Sequence, residues 1–139
     1  PATGTLPEGQ ARALVEILRR HTRTPDNCWF AIWEGWAGLG SEKQWAGAAR
    51  LHLPDRAYLL LRGPVEAAAT SFVPFHHQSP NLWWPQDRAW CVATEIDMMW
   101  TYVGGGNACI AEILASPRLE ALQATLDDRA DIHGDRINR

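Results

Sequence analysis

NLWWPQDRAWCVATEIDMMWTYVGGG, residues Asn81 to Gly106, holds four of the eight tryptophans, a proline set for a turn, an acidic pair inside an apolar run, and three consecutive glycines. Pro85 can hold φ at the second position of a turn, and Gln86, Asp87 and Arg88 are polar enough to stay outside. Leu82–Trp84 and Ala89–Ile96 are therefore expected to pair as a hairpin. Along the second strand, Trp90, Val92, Thr94 and Ile96 point one way and Cys91, Ala93, Glu95 and Asp97 the other. Met98 to Val103 reads as a further strand, returning after a turn near Asp97 or continuing past a bulge there, and Gly104–Gly106 ends it. Trp83 and Trp84 are consecutive on a strand, so their indoles must diverge and both cannot enter one core.

Working outward toward the N-terminus, residues 1–6 read as a loose arm. From Pro7 a helix is expected to about His21, with Ala11, Leu14, Val15 and Leu18 on one face and Arg19, Arg20 and Arg23 near its C-terminal end. Thr24-Pro25-Asp26-Asn27 is turn chemistry, and Cys28–Glu34 is β-prone and aromatic. Gly35 to Gly47 is too glycine-rich for a regular element, so its tryptophans Trp36 and Trp45 either fold back over the sheet or cover a pocket. Arg50–Leu53 and Ala57–Arg62 form a second hairpin, and Val65–Phe72 an alanine-rich helix. Beyond the glycines, Asn107 is expected to cap a helix through Ala115 with Ile110, Ile113 and Leu114 inward. A short helix then starts at Ser116-Pro117 with Leu119, Leu122 and Leu126 as its buried stripe, and residues 127–139 read as a polar tail. Short links between successive strands predict a single α+β domain, 1–139, with a mainly antiparallel sheet of about five or six strands and helices on one face.

Composition narrows the function classes. A net charge of −3 and scattered basic residues argue against nucleic acid as the ligand, and no apolar run approaches a membrane span. No basic n-region or apolar h-region of a secretory signal is visible at the N-terminus. Three cysteines in apolar contexts, Cys28, Cys91 and Cys109, read as reduced thiols and hence the cytoplasm. The scarcity of lysine beside abundant alanine fits a GC-rich genome.

The candidate chemistry is incomplete at every site. Glu95 and Asp97 lie on one strand face roughly 7 Å apart, close enough for acid/base work or to hold a cation unless Arg62 or Arg88 neutralises them. His76-His77 sits in an irregular, proline-bearing segment, where a lone histidine can serve as a general base. Adjacent histidines diverge, and no CxxC, HxH or HExxH pattern is present, so no metal site is expected. The triple glycine lacks both the GxGxxG spacing and a GK[ST] lysine, so no nucleotide or other cofactor is expected. Cys91 is strand packing, and no GxSxG marks a nucleophilic serine.

Tryptophan is the strongest compositional signal. Trp29 and Trp90 alternate with apolar neighbours and are expected in the core, but at least one of Trp83 and Trp84 must lie on an outer face. These observations favour a non-enzymatic binding module whose aromatic, acidic surface comprises Trp36, Trp83, Trp84, Arg88, Glu95, Asp97, Trp100 and Tyr102. Its partner would be a protein or a small aromatic or apolar ligand. The competing reading is a small enzyme with Glu95, Asp97 or His76 as general base in a pocket under the 35–47 loop. A homo-oligomer would use an edge strand such as Cys28–Glu34, though nothing in the sequence demands one.

The run SPNLWWPQDRAWCVATEID followed by WTYVGG resembles a family of small bacterial proteins from GC-rich genomes, over Cys28 to about Leu122. That resemblance implies no particular activity. The layout, a sheet meander followed by a terminal helix, is similar to the SUKH-type immunity proteins that neutralise toxins. It differs after Leu53-Pro54, where the β-like YLLLRG replaces that superfamily's helix and Asn-Gly.

Overall fold

The computed structural model of the chain describes residues 2–37, 39 and 43–131. Six antiparallel strands form one sheet in the order β2-β3-β1-β4-β5-β6. They are β1 (Cys28–Trp33), β2 (Arg50–Leu53), β3 (Arg56–Gly63), β4 (Leu82–Pro85), β5 (Trp90–Thr94) and β6 (Thr101–Gly105). The helices α1 (Glu8–Arg19) and α2 (Asn107–Ala115) lie on one face of that sheet.

The alternation within each strand decides which side chains meet the helices. Cys28, Phe30 and Ile32 of β1 are buried with Leu59 of β3, Trp83 of β4, and Trp90 and Val92 of β5. Helix α1 closes this layer with Ala11, Ala13, Leu14, Val15, Ile17 and Leu18. Its four larger apolar side chains contribute roughly 1.5–3 kcal/mol each on burial. The indole of Trp90 crosses Trp83 edge-on at 5.3 Å and donates its N–H to the Leu18 carbonyl at 3.0 Å, which joins the sheet to the helix. Trp83 is 1% exposed, and its indole N–H has no hydrogen-bond partner among the described residues.

Several expectations change in the structure. The strand over Cys28–Glu34 is flanked by β3 and β4, so it is central and offers no free edge; the edges are β2 and β6. Residues 95–100 make a turn, with the Met98 N–H donating to the Glu95 carbonyl at 3.2 Å, and the returning strand starts only at Thr101. Val65–Ala69 is a 3₁₀ segment, not an α-helix. Its inward residues Val65 and Ala68 are three apart, the repeat that a 3₁₀ turn eclipses.

Helix α2 begins after Gly106 without any side-chain cap, and it buries Cys109 and Ile113 while Leu114 is 40% exposed. The helix expected after Ser116 is absent: Leu119 packs against the core, but Leu122 and Leu126 stand in solvent. A stripe of leucines without a surface to cover does not sustain so short a helix. Of the tail expected over 127–139, residues 132–139 lie outside the described residues.

The arm expected over residues 1–6 is docked from Gly4 to Leu6. Gly4 donates its N–H to the Met98 carbonyl at 2.8 Å, and Leu6 donates its N–H to Ser79 Oγ at 2.7 Å. Among the described residues, no helix is long and apolar enough to cross a membrane.

Candidate functional site

The sheet face opposite the helices is built by the alternate residues of each strand. Register sets Trp29 of β1 between Arg62 of β3 and Trp84 of β4, so the three side chains form one row across the face. The Arg62 guanidinium lies over the Trp29 ring at 5.2 Å, and Arg62 also donates to Asn27 Oδ1 at 2.9 Å. The Trp29 indole N–H donates to Gln86 Oε1 at 2.8 Å. Beside this row runs a second one, Leu60–Ala31–Leu82–Ala93–Tyr102, spanning five strands. At a strand spacing of about 4.8 Å, that row is roughly 19 Å long. Within that row Ala31 is buried, Leu60, Leu82 and Ala93 are half-buried, and Tyr102, 39% exposed, stands at the β6 edge.

The two consecutive indoles diverge as strand geometry requires: Trp83 is sealed in the core, and Trp84 is half-buried on the opposite face. Trp29, expected in the core, instead shares the open face with Trp84. The correction follows from β1 being central and covered by helix on only one side, so Cys28, Phe30 and Ile32 take the core and Trp29 takes the alternate face. Arg62 and Trp29 were thus missing from the surface read in the sequence. Their signal lay in register, which no local pattern reveals.

The acidic pair is occupied. Arg56 of β3 bonds to both, reaching Glu95 with one guanidinium nitrogen and Asp97 with the other at 3.3 Å. The neutralising arginine is neither Arg62 nor Arg88. The hydrogen bond that Arg56 donates to Glu95 favours the charged guanidinium, raising its pKa above the ordinary value against the opposing effect of burial. This corner of the face is therefore an ion-paired rim around Tyr58, which is itself buried.

The other candidate residues are dispersed. His76 is exposed, and the ring of His77 meets the Leu6 carbonyl at 3.0 Å; no histidine bonds to Glu95 among the described residues. Trp36 packs edge-on against Trp33 at 5.3 Å and donates its N–H to Asn81 Oδ1 at 3.0 Å. With Leu39 and Trp45 it returns the described part of the 35–47 loop to the core. Trp100 is half-buried, and its indole nitrogen has no partner among the described residues. Arg88 is exposed at a left-handed turn position, φ 57. No three of His, Cys, Asp and Glu gather as a metal site among the described residues.

The hairpin turn beside the face is fastened by Asp87. Burial pushes its carboxyl up, but bonds from the Arg23 N–H, the Thr22 hydroxyl and the Ala89 N–H outweigh this and hold it below the ordinary range. Of the three free thiols, only Cys91 is exposed, and it lies on the open face opposite Gly104. Comparison of the chain with protein families, with curated proteins and with solved structures returned no match.

Proposed function

We propose that the protein is a non-enzymatic binding module that docks a protein partner on its open sheet face. The observation that carries this reading is the row Arg62–Trp29–Trp84, two half-buried indoles and a guanidinium aligned across three neighbouring strands with no helix over them among the described residues. Tryptophan and arginine are the side chains that anchor partners most strongly, because both bury a large flat surface and retain a donor. The carboxylates eligible as general bases support the same reading, since Arg56 holds both Glu95 and Asp97, while His76 is exposed and bonds to neither. Pairing with the single Arg56 reduces the acidic character first ascribed to this surface, two carboxylates sharing one guanidinium.

The resemblance of layout to the SUKH-type immunity proteins makes a toxin domain the first class of partner to test, and the meander β4–β5–β6 running into α2 supports that choice. The cytoplasm suits three free thiols. The experiment is capture from the native cell with wild type beside Trp84→Ala, followed by purification of the captured protein and its addition back. Binding is expected to be lost in Trp84→Ala while that variant keeps its fold, and the pure partner is expected to protect Cys91 from alkylation in the wild type. Equal recovery by both chains, or an unprotected Cys91 in a saturated complex, overturns the proposal.

A further inference from the structure

Helix α2 is attached differently from the rest of the core. Nine residues long and uncapped at its N-terminus, it buries Cys109 and Ile113 and packs Ile110 partly against the core, whereas α1 buries six residues. The rest of its attachment is charge at the surface. Glu112 receives Arg20 and His21 from the end of α1, and Arg118, just beyond α2, reaches back to Glu16 of α1. The chain that follows packs Leu119 and Ala121 only partly against the core and leaves Leu122 and Leu126 in solvent. Beneath it lies the glycine end of β6, where Cys109 Sγ would sit 3.4 Å from a Cβ placed on Gly105, beside Trp90.

From this arrangement we infer that α2 is a strap that opens by itself, with the sheet and α1 intact, and that the bonds of Glu112 to Arg20 and His21 are its latch. A helix this short does not persist without its docking surface, so opening unwinds it. Opening exposes the Cys109 thiol and bares the flank of Trp90 on the helix-bearing side, away from the open sheet face. The inference is independent of the proposed binding role. It concerns a local opening below the level of global unfolding.

The three cysteines read the event directly. Cys91 is exposed, Cys109 lies under the strap, and Cys28, 0% exposed, lies in the central strand β1. Alkylation of the folded full chain with N-ethylmaleimide, followed at each site by mass spectrometry, should modify Cys91 first and Cys28 last. Each rate is normalised to that of the same thiol in the unfolded chain. Cys109 should react at least about tenfold faster than Cys28. Glu112→Gln should speed Cys109 about two- to fivefold, the scale of an exposed ion-pair cluster, and leave Cys28 unchanged. Raising the salt concentration on the wild type should produce the same selective gain without a substitution. Equal normalised rates at Cys109 and Cys28 would show one cooperative unit and overturn the strap. If Glu112→Gln and salt both leave Cys109 unchanged, or speed Cys28 equally, the latch is overturned.

Discussion

Asn81 uses its whole side-chain amide. Its Oδ1 accepts from the Trp33 N–H and the Trp36 indole, each at 3.0 Å, and its Nδ2 donates to the Gly4 and Thr94 carbonyls, each at 3.3 Å. A buried amide so fully paired is costly to replace, because its partners then lose bonds in a buried or part-buried setting. Asn81→Leu should cost about 2–4 kcal/mol in urea unfolding, through the bonds lost by Trp33, Trp36 and Thr94, while the Gly4 carbonyl keeps its bond from Gln78. Gly4 depends on the same hub: its φ is 73°, and a Cβ there would lie 2.5 Å from the Ile96 carbonyl oxygen and 2.6 Å from the Trp36 ring. Gly4→Ala should therefore destabilise by about 1–3 kcal/mol, where an alanine at an unstrained glycine site would stabilise. Cys28 carries a pH signature. Burial, with the nearby charges of Glu66, Asp87 and Asp26, pushes its thiol from 9.0 up to about 11. The folded state holds that proton more tightly, so stability is intact below pH 9.0 and falls as pH rises toward about 11. Chemical denaturation across that window should show a shallower fall in Cys28→Ala.

Among elements, β4 tests the two-faced sheet most sharply. Trp83 and Trp84 are neighbours in sequence, but only Trp83 fills the core between Phe30 and Trp90. Trp83→Ala should cost about 3–5 kcal/mol in urea unfolding. Trp84→Ala, half-buried on the open face, should cost less than about 2 kcal/mol, as expected of a side chain removed from only part of the water. Similar losses for both would mean that the open face is structural. Between the helices, Glu112 is held below its ordinary range by Arg20 first and His21 second. Its contribution is present at neutral pH and is lost as pH falls through that depressed value. The acid limb of the unfolding curve should accordingly flatten in Glu112→Gln.

At the scale of the molecule, the central strands β1 and β4 are each paired on both sides, while β2 and β6 are edges and α2 hangs from β6. Amide exchange should be slowest in β1 and fastest in α2, with the order reported by exchange at neutral pH. All six strands could be read from alternation and turn residues, the last one starting three residues late, because a strand's two faces and its glycine or proline stops are local properties. The divergence of Trp83 from Trp84 followed from the same pattern. The leucines after Ser116 misled because helical spacing says nothing about whether a surface exists to receive it. Likewise, the arm at residues 4–6 reads as loose by composition, yet Ser79, Gln78 and Asn81, more than seventy residues away, hold it. The amino-acid order alone thus determined the class of fold, the main hairpins and an aromatic surplus that one core cannot absorb. Only tertiary structure decided which strand is central, that Trp29 stands beside Trp84, and that Arg56 takes both acids, because strand order and register join residues whose separation in the chain carries no local signal.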